Sequence, residues 1–158
     1  MIPSLTLVPE PAPTPGEGPL LLCVEDEAAM REMMARELQH AGYRVLSAGT
    51  VHEAFEHFQR EHEDIALVIS DLRLPGGTAL DLFARMKALV PDPRIVVCTG
   101  MLLPNMHDQL RAAGVTRYLF KPFRMRELLD TVRRHLAVLE PVQHVEGMPS
   151  AGEARASL

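Results

Sequence analysis

Three carboxylates, one hydroxyl and one ammonium stand at the ends of apolar stretches in this chain, and together they could handle phosphate. Leu20–Val24 runs into Glu25 and Asp26, Ile65–Ser70 into Asp71, Ile95–Cys98 into Thr99, and Tyr118–Phe120 into Lys121 and Pro122. If the stretches are neighbouring parallel strands, these side chains share the carboxyl edge of one sheet. Open parallel sheets carry their ligands at that edge, where the strand order reverses. Carboxylates of Glu25, Asp26 and Asp71 brought within about 4–5 Å of one another repel by several kcal/mol at an effective dielectric near 20. Such crowding persists only if something cancels the charge. Mg²⁺ fits best, because it takes one or two carboxylates, phosphate oxygens and several waters. A carboxylate beside it can act as nucleophile toward a phosphoryl group and form an aspartyl phosphate. Lys121 would offer the new phosphate a compact charge and Thr99 a hydroxyl. Little covalent machinery is needed, since phosphoryl transfer asks mainly for positioning and charge neutralisation.

Each residue also has an ordinary explanation when taken alone. Glu25 or Asp26 could cap the first helix. Asp71, before Leu-Arg-Leu-Pro-Gly-Gly, could form a turn. Thr99 could satisfy loop backbone, and Lys121 could be a solvated strand end. Coincidence would have to explain all of them at one edge and in sequential strands, so the phosphate reading leads.

The elements that must position these residues alternate along the chain. Met30, Met34, Leu38 and Ala41 fall on one helical face, with Gly42 where a C-terminal cap belongs. Arg44–Ala48 reads as a short strand. Val51, Ala54, Phe55 and Phe58 make a second helical stripe, and Leu80, Phe83, Met86 and Val90 a third, ended by Pro91 and Pro93. Asn105–Ala113 is a weaker helix between Pro104 and Gly114. Met125, Leu128, Leu129, Val132, Leu136 and Leu139 mark the clearest one. Five strands alternating with five helices predict an α/β domain whose parallel sheet is covered on both faces. Right-handed crossovers favour a flavodoxin-like doubly wound (βα)5 fold with strand order 2-1-3-4-5.

Composition bounds the rest. The chain has 158 residues and a net charge of −5, enough for one domain and no electrostatic support for a nucleic-acid surface. Cys23 and Cys98 lie inside apolar runs and read as buried thiols in a reducing compartment. No apolar run approaches the roughly 20 residues of a membrane span. The N-terminus lacks the pattern of a signal peptide, so a cytoplasmic location is expected. Residues 1–18 carry Pro3, Pro9, Pro11, Pro13 and Pro15 and read as a disordered Pro-rich leader. Residues 19–139 form the predicted domain, and 140–158 read as a flexible tail.

The motifs Val24-Glu25-Asp26-Glu27, Ser70-Asp71-Leu72-Arg73-Leu74-Pro75, Thr99-Gly100 and Tyr118-Leu119-Phe120-Lys121-Pro122-Phe123 occur in this order and spacing. On them, residues 20 to about 139 resemble the receiver domain of two-component response regulators. The resemblance implies that Asp71 is the phosphoacceptor. It makes Asp26 a direct metal ligand, Glu25 one acting largely through water, and the Arg73 backbone carbonyl the remaining protein ligand. Thr99 would be the switch hydroxyl, Lys121 the phosphate contact, and Tyr118 the aromatic whose rotamer reports the state. A cis Lys121–Pro122 bond is also implied. The family often has Gly where Ala79 stands and Ala where Gly100 stands, so the loops there can differ in shape. Arg73 and Met101 would flank the phosphate and influence its lifetime, with Arg73 either shielding it or binding a carboxylate instead.

The expected function is phosphorylation-dependent signalling rather than enzymatic turnover, beyond assistance to the domain's own phosphotransfer and dephosphorylation. A histidine kinase or phosphotransfer protein would donate to Asp71. The face made by the fourth helix, the Tyr118 strand and the last helix would then shift and engage a downstream protein or a second copy as a homodimer. Only about 19 residues follow the last helix, so a stand-alone regulator is expected, with no nucleic acid or membrane partner. Two other classes compete. One is a phosphorylation-independent interaction module, which the intact acceptor set disfavours. The other is a metal-dependent phosphohydrolase of the haloacid-dehalogenase type, which would want a carboxylate where Arg73 lies.

Overall fold

A computed structural model describes residues 16–137. The expectations for the Pro-rich leader through residue 15, for the tail and for Leu139 lie outside that range. The five main strands are β1 (Leu20–Val24), β2 (Arg44–Ala48), β3 (Ile65–Asp71), β6 (Ile95–Thr99) and β7 (Tyr118–Phe120). They form one parallel sheet in the order β2-β1-β3-β6-β7. The remaining strands, β4 (Arg73–Leu74) and β5 (Gly77–Thr78), pair with each other as a small antiparallel ribbon after β3. With the ribbon set aside, the order is the anticipated 2-1-3-4-5.

Five helices cover the sheet: α1 (Ala28–His40), α2 (Val51–Glu61), α3 (Ala79–Lys87), α4 (Pro104–Ala113) and α5 (Met125–Ala137). Side-chain alternation along the strands divides the core in two. Leu22, Val24, Val68, Ile95 and Val97 pack with α2, α3 and α4 through Val51, Phe58, Leu82, Phe83 and Leu110. Leu21, Cys23, Ile69, Val96 and Cys98 pack with α1 and α5 through Met34, Leu38, Leu128 and Val132. β1 and β6 are buried at every position, which is why their sequences are continuous apolar runs rather than alternating ones. Burial pushes the Cys23 thiol up to about 12, and burial together with nearby Asp71 raises that of Cys98, so neither is a reactive thiolate at neutral pH.

The structure corrects the helix readings in detail. The buried stripe of α3 is Ala79, Leu82, Phe83 and Met86, while Leu80 is only partly buried and Val90 lies beyond the helix end. A capping box between Thr78 and Asp81 starts α3 and sets its phase, a polar signal that a search for apolar spacing passes over. α4 begins one residue early, at Pro104, where a missing N–H is harmless. Gly42 ends α1 as expected, following Ala41 in the left-handed region at φ 101° and donating its N–H to the Gln39 carbonyl at 2.9 Å. The β4–β5 ribbon was not anticipated, because two-residue strands carry no periodicity. Its Pro75-Gly76 link, with Gly76 at φ 88°, is the turn there.

Buried Gly18 donates its N–H to the Gly42 carbonyl at 3.1 Å, and a Cβ at residue 18 would collide with that same oxygen. Gly18→Ala should therefore destabilise the fold by about 1–3 kcal/mol in urea denaturation. Gly100→Ala, where an added Cβ has nothing within 4 Å, should change stability by no more than about 0.5 kcal/mol. Equal effects for the two would contradict this packing.

Candidate functional site

The parallel register brings the strand ends together. Val24 pairs with Ser70, Asp71 with Cys98, and Thr99 with Phe120, so the residues after β1, β6 and β7 emerge beside the end of β3. Oxygen atoms of Glu25, Asp26 and Asp71 lie within 4.8 Å of one another. Glu25 is 2% exposed and Asp71 7%, whereas Asp26 is open to solvent. Two buried carboxylates this close would repel strongly without a counter-charge.

Lys121 supplies part of that charge. Its Nζ donates to Glu25 Oε2 at 3.0 Å and approaches Asp71 Oδ1 to 2.6 Å. The second approach is short but lies off the axis of a hydrogen bond, so the buried Oδ1 has no well-directed protein donor. The Lys121 backbone is fixed by its N–H donating to the Thr99 carbonyl at 2.8 Å, and the Lys121–Pro122 bond is cis. Burial and the neighbouring Glu25 raise the Asp71 carboxyl to about 7, against the opposing pull of Lys121. For Lys121, burial favours the neutral amine, but hydrogen bonds and charge from Asp71 and Glu25 outweigh it and lift the ammonium above the ordinary lysine range.

The loop bearing Glu25 and Asp26 is held from behind. Arg31 Nη1 donates to the Glu25 carbonyl at 2.8 Å and the Asp26 carbonyl at 3.4 Å. The Glu25 N–H donates to the Ala48 carbonyl at 3.0 Å. Arg31 was missed in the sequence; its signal was a cation six residues after Glu25, a turn into α1, where it can reach back over the loop. The capping explanation for the acidic pair fails, because the N-cap of α1 is Glu27 and no side chain caps the helix. Glu25 Oε1 instead accepts the Glu27 N–H at 3.3 Å. The turn explanation for Asp71 also fails, since its side chain is buried at the end of β3.

A hollow of about 400 Å³ opens over Asp71 and is walled by Arg73, Thr99, Gly100, Met101 and Lys121. Glu25, Asp26, Asp71, Arg73, Thr99 and Lys121 are thus gathered at one edge. The Thr99 hydroxyl is engaged with its own loop, donating to the Met101 carbonyl at 2.8 Å. Tyr118 does not line the hollow. Its hydroxyl donates to the Val115 carbonyl at 2.9 Å, and its ring lies 5.8 Å from that of His107 and 6.4 Å from that of Phe120. The all-oxygen donor set, with more carboxylate charge than Lys121 alone offsets, fits a hard divalent cation, which Glu25, Asp26 and Asp71 could hold. Chemically, the site pairs a shielded carboxylate with cationic and hydroxyl groups around a space large enough for a phosphoryl group.

Known proteins resemble this chain in sequence and in fold. The chain is 30% identical over 133 residues to the DNA-binding transcriptional regulator NtrC of Bradyrhizobium sp., covering 84% of this chain and 27% of NtrC. It is 28% identical to the response regulator receiver protein CpdR of Brucella abortus, covering 73% of this chain and 95% of CpdR. The chain therefore spans about a quarter of the length of NtrC but nearly all of CpdR. Among solved structures, the chemotaxis response regulator CheY4 of Vibrio cholerae superposes with TM-score 0.67 at 30% identity, over 74% of this chain and 98% of that one. The non-phosphorylated HemR receiver domain of Leptospira biflexa gives TM-score 0.71 at 27% identity, over 78% and 98%. The family model for the response regulator receiver domain matches residues 21–133, from the first strand through most of the last helix. That span takes in every strand end just described, and the chain belongs to the response regulator receiver domain family.

Proposed function

We propose that Asp71 is the phosphoacceptor of a signalling switch, charged by a histidine kinase or phosphotransfer protein. The carrying observation is the buried Asp71 carboxylate, bridged by Lys121 at 2.6 Å beside Glu25, at the floor of a hollow that Lys121 and Thr99 also line. An Asp71 oxygen attacks the phosphorus of the donor phosphohistidine. The N–P bond breaks, its electron pair stays on the imidazole, and an acyl phosphate forms on Asp71. Hydrolysis later returns inorganic phosphate and the free carboxylate. Asp26 and Asp71, with the Arg73 carbonyl and Glu25, are the residues that would hold a Mg²⁺ ion, which would supply positive charge to favour the ionised Asp71 and to offset the phosphoryl oxygens. Arg31 keeps the Glu25–Asp26 loop in place through their carbonyls.

Phosphorylation redirects two groups. Lys121 moves its interaction from Asp71 Oδ1 to the phosphate, and the Thr99 hydroxyl leaves the Met101 carbonyl for a phosphoryl oxygen. Movement of the 99–103 loop carries α4 with it and lets Tyr118 change rotamer, so the α4–β7–α5 face differs between the two states. Phe120, Met101 and Leu103, which are 56%, 71% and 50% exposed, give that region apolar contact surface for a downstream protein or a second copy of the chain. On this reading the protein works in the cytoplasm.

Incubation with Mg²⁺ and acetyl phosphate should add one phosphoryl group, read by intact mass, and Asp71→Asn should abolish the gain. Lys121→Ala should slow it about tenfold or more. A wild-type protein that gains no mass would sink the reading and leave an interaction module that works without phosphate.

Crowding also has a pH signature. The folded state raises the Asp71 pKa from 3.8 to about 7, so it binds more protons there than the unfolded chain does. That contribution to stability is present below the unfolded pKa and is lost as pH rises through the folded one. In metal-free buffer, Asp71→Asn should be more stable than wild type by on the order of 2 kcal/mol at pH 7, with the gap closing toward pH 4. Mg²⁺ at about a hundredfold excess over Kd should stabilise wild type by about 2.7 kcal/mol. Thermal denaturation across pH measures both; an Asp71→Asn protein that is never the more stable would contradict the crowded pocket.

A further inference from the structure

Arg31 accounts for every carbonyl in the connection that carries two of the three clustered carboxylates. That connection is Glu25, Asp26 and Glu27, between the end of β1 at Val24 and the start of α1 at Ala28. Arg31 Nη1 donates to the Glu25 carbonyl at 2.8 Å and to the Asp26 carbonyl at 3.4 Å. The Arg31 backbone N–H donates to the remaining one, of Glu27, at 2.9 Å. Among the described residues no carboxylate comes within ion-pair distance of this guanidinium, so its hold is on backbone dipoles rather than on acidic side chains. α1 lacks a side-chain cap, and the arginine ties the helix to the loop instead.

The guanidinium is also seated against a second loop. β1 and β2 end side by side, with Val24 opposite Ala48, and the Glu25 N–H donates to the Ala48 carbonyl at 3.0 Å. Gly49 comes next, and its own N–H donates to Glu53 Oε2 at 2.9 Å, which fixes it to α2. A Cβ on residue 49 would stand 3.0 Å from Arg31 Nη1 and 3.6 Å from Arg31 Cζ. Gly49 is not in the left-handed region, so its backbone does not demand a glycine. What the missing side chain provides is room for the guanidinium.

We infer that Arg31, seated over Gly49, is a positioning residue for the divalent cation. It fixes the Glu25–Asp26 connection in the shape that brings both carboxylates within 4.8 Å of that of Asp71. The inference rests on the reading of these three carboxylates as the groups that would hold the cation. Charge and position predict opposite signs for the loss of Arg31. A guanidinium is itself a cation, and by Coulomb repulsion alone its removal would tighten Mg²⁺ binding. Loss of its hold on two carbonyls frees the loop and weakens binding, by about 10–100-fold for groups that orient metal ligands. Position should win, because Mg²⁺ demands near-ideal octahedral geometry and the half-buried guanidinium is partly screened.

Titration of the ¹⁵N-labelled full chain with MgCl₂, with no phosphodonor present, tests it. In wild type the amides of Glu25, Asp26 and Glu27 should shift saturably. Arg31→Gln should raise the Kd at least about tenfold. Gly49→Ala removes no hydrogen bond but crowds the guanidinium, and it should raise the Kd about threefold or more. In the Arg31→Gln background the same change should add nothing, because its target is gone. Arg31→Lys takes the place of Arg31→Gln in both comparisons if the latter does not fold. Equal or tighter binding by the Arg31 variant, a lower melting temperature with unchanged Kd, or an equal effect of Gly49→Ala in both backgrounds would overturn the inference and leave Asp71 as phosphoacceptor untouched. A wild type without saturable shifts would overturn it together with the cation reading.

Discussion

The bridge from Lys121 to Glu25 and Asp71 is the contact on which the rest of the edge depends. Two buried carboxylates and a third exposed one sit within 4.8 Å, and one ammonium offsets only part of their charge. Lys121 holds both buried groups, at 3.0 Å and 2.6 Å, but leaves Asp71 Oδ1 without a directed donor. An arrangement of this kind is destabilising by itself and useful for chemistry, because excess negative charge invites a cation and a cation invites phosphate. The fold tolerates it because two apolar layers on either side of β1, β3 and β6 fix those strands regardless of what happens at their ends.

The same geometry ties the strand ends to α4. Thr99 closes β6, and its hydroxyl is held by the carbonyl of Met101, in the loop that leads into α4. Lys121 follows β7, whose Tyr118 is tied to the Val115 carbonyl at the far end of α4. Two short polar contacts therefore tie the ends of β6 and β7 to the loops on either side of α4. α4 buries little else: Leu110 is its one buried residue. An element attached mainly by contacts that can be exchanged is one whose position a local charge change can bias.

Much of this was legible in the sequence, and the reasons are physical. β1, β3 and β6 are covered on both faces, so their apolar runs stand out, and the polar residue ending each run marked the edge. Parallel pairing then made the convergence of Glu25, Asp26, Asp71 and Lys121 a consequence of topology. The losses came where a polar or very local interaction decides. The phase of α3 is set by the Thr78–Asp81 capping box rather than by its apolar stripe. The β4–β5 ribbon is too short for any period, though Pro75-Gly76 announced its turn. Arg31 acts on backbone carbonyls, which carry no side-chain signature. The hydrogen-bond partner of Thr99 was likewise beyond reach, since a hydroxyl at a strand end is compatible with either a loop carbonyl or a phosphate.

The direct test of the account is the titration of Asp71 itself, followed by the ¹³C shift of its side-chain carboxyl in metal-free buffer and again with Mg²⁺. Crowding by Glu25 and burial predicts a midpoint near the value of about 7 without metal, falling well below it when the cation is added. A midpoint near the ordinary 3.8, or one that Mg²⁺ does not move, would contradict it.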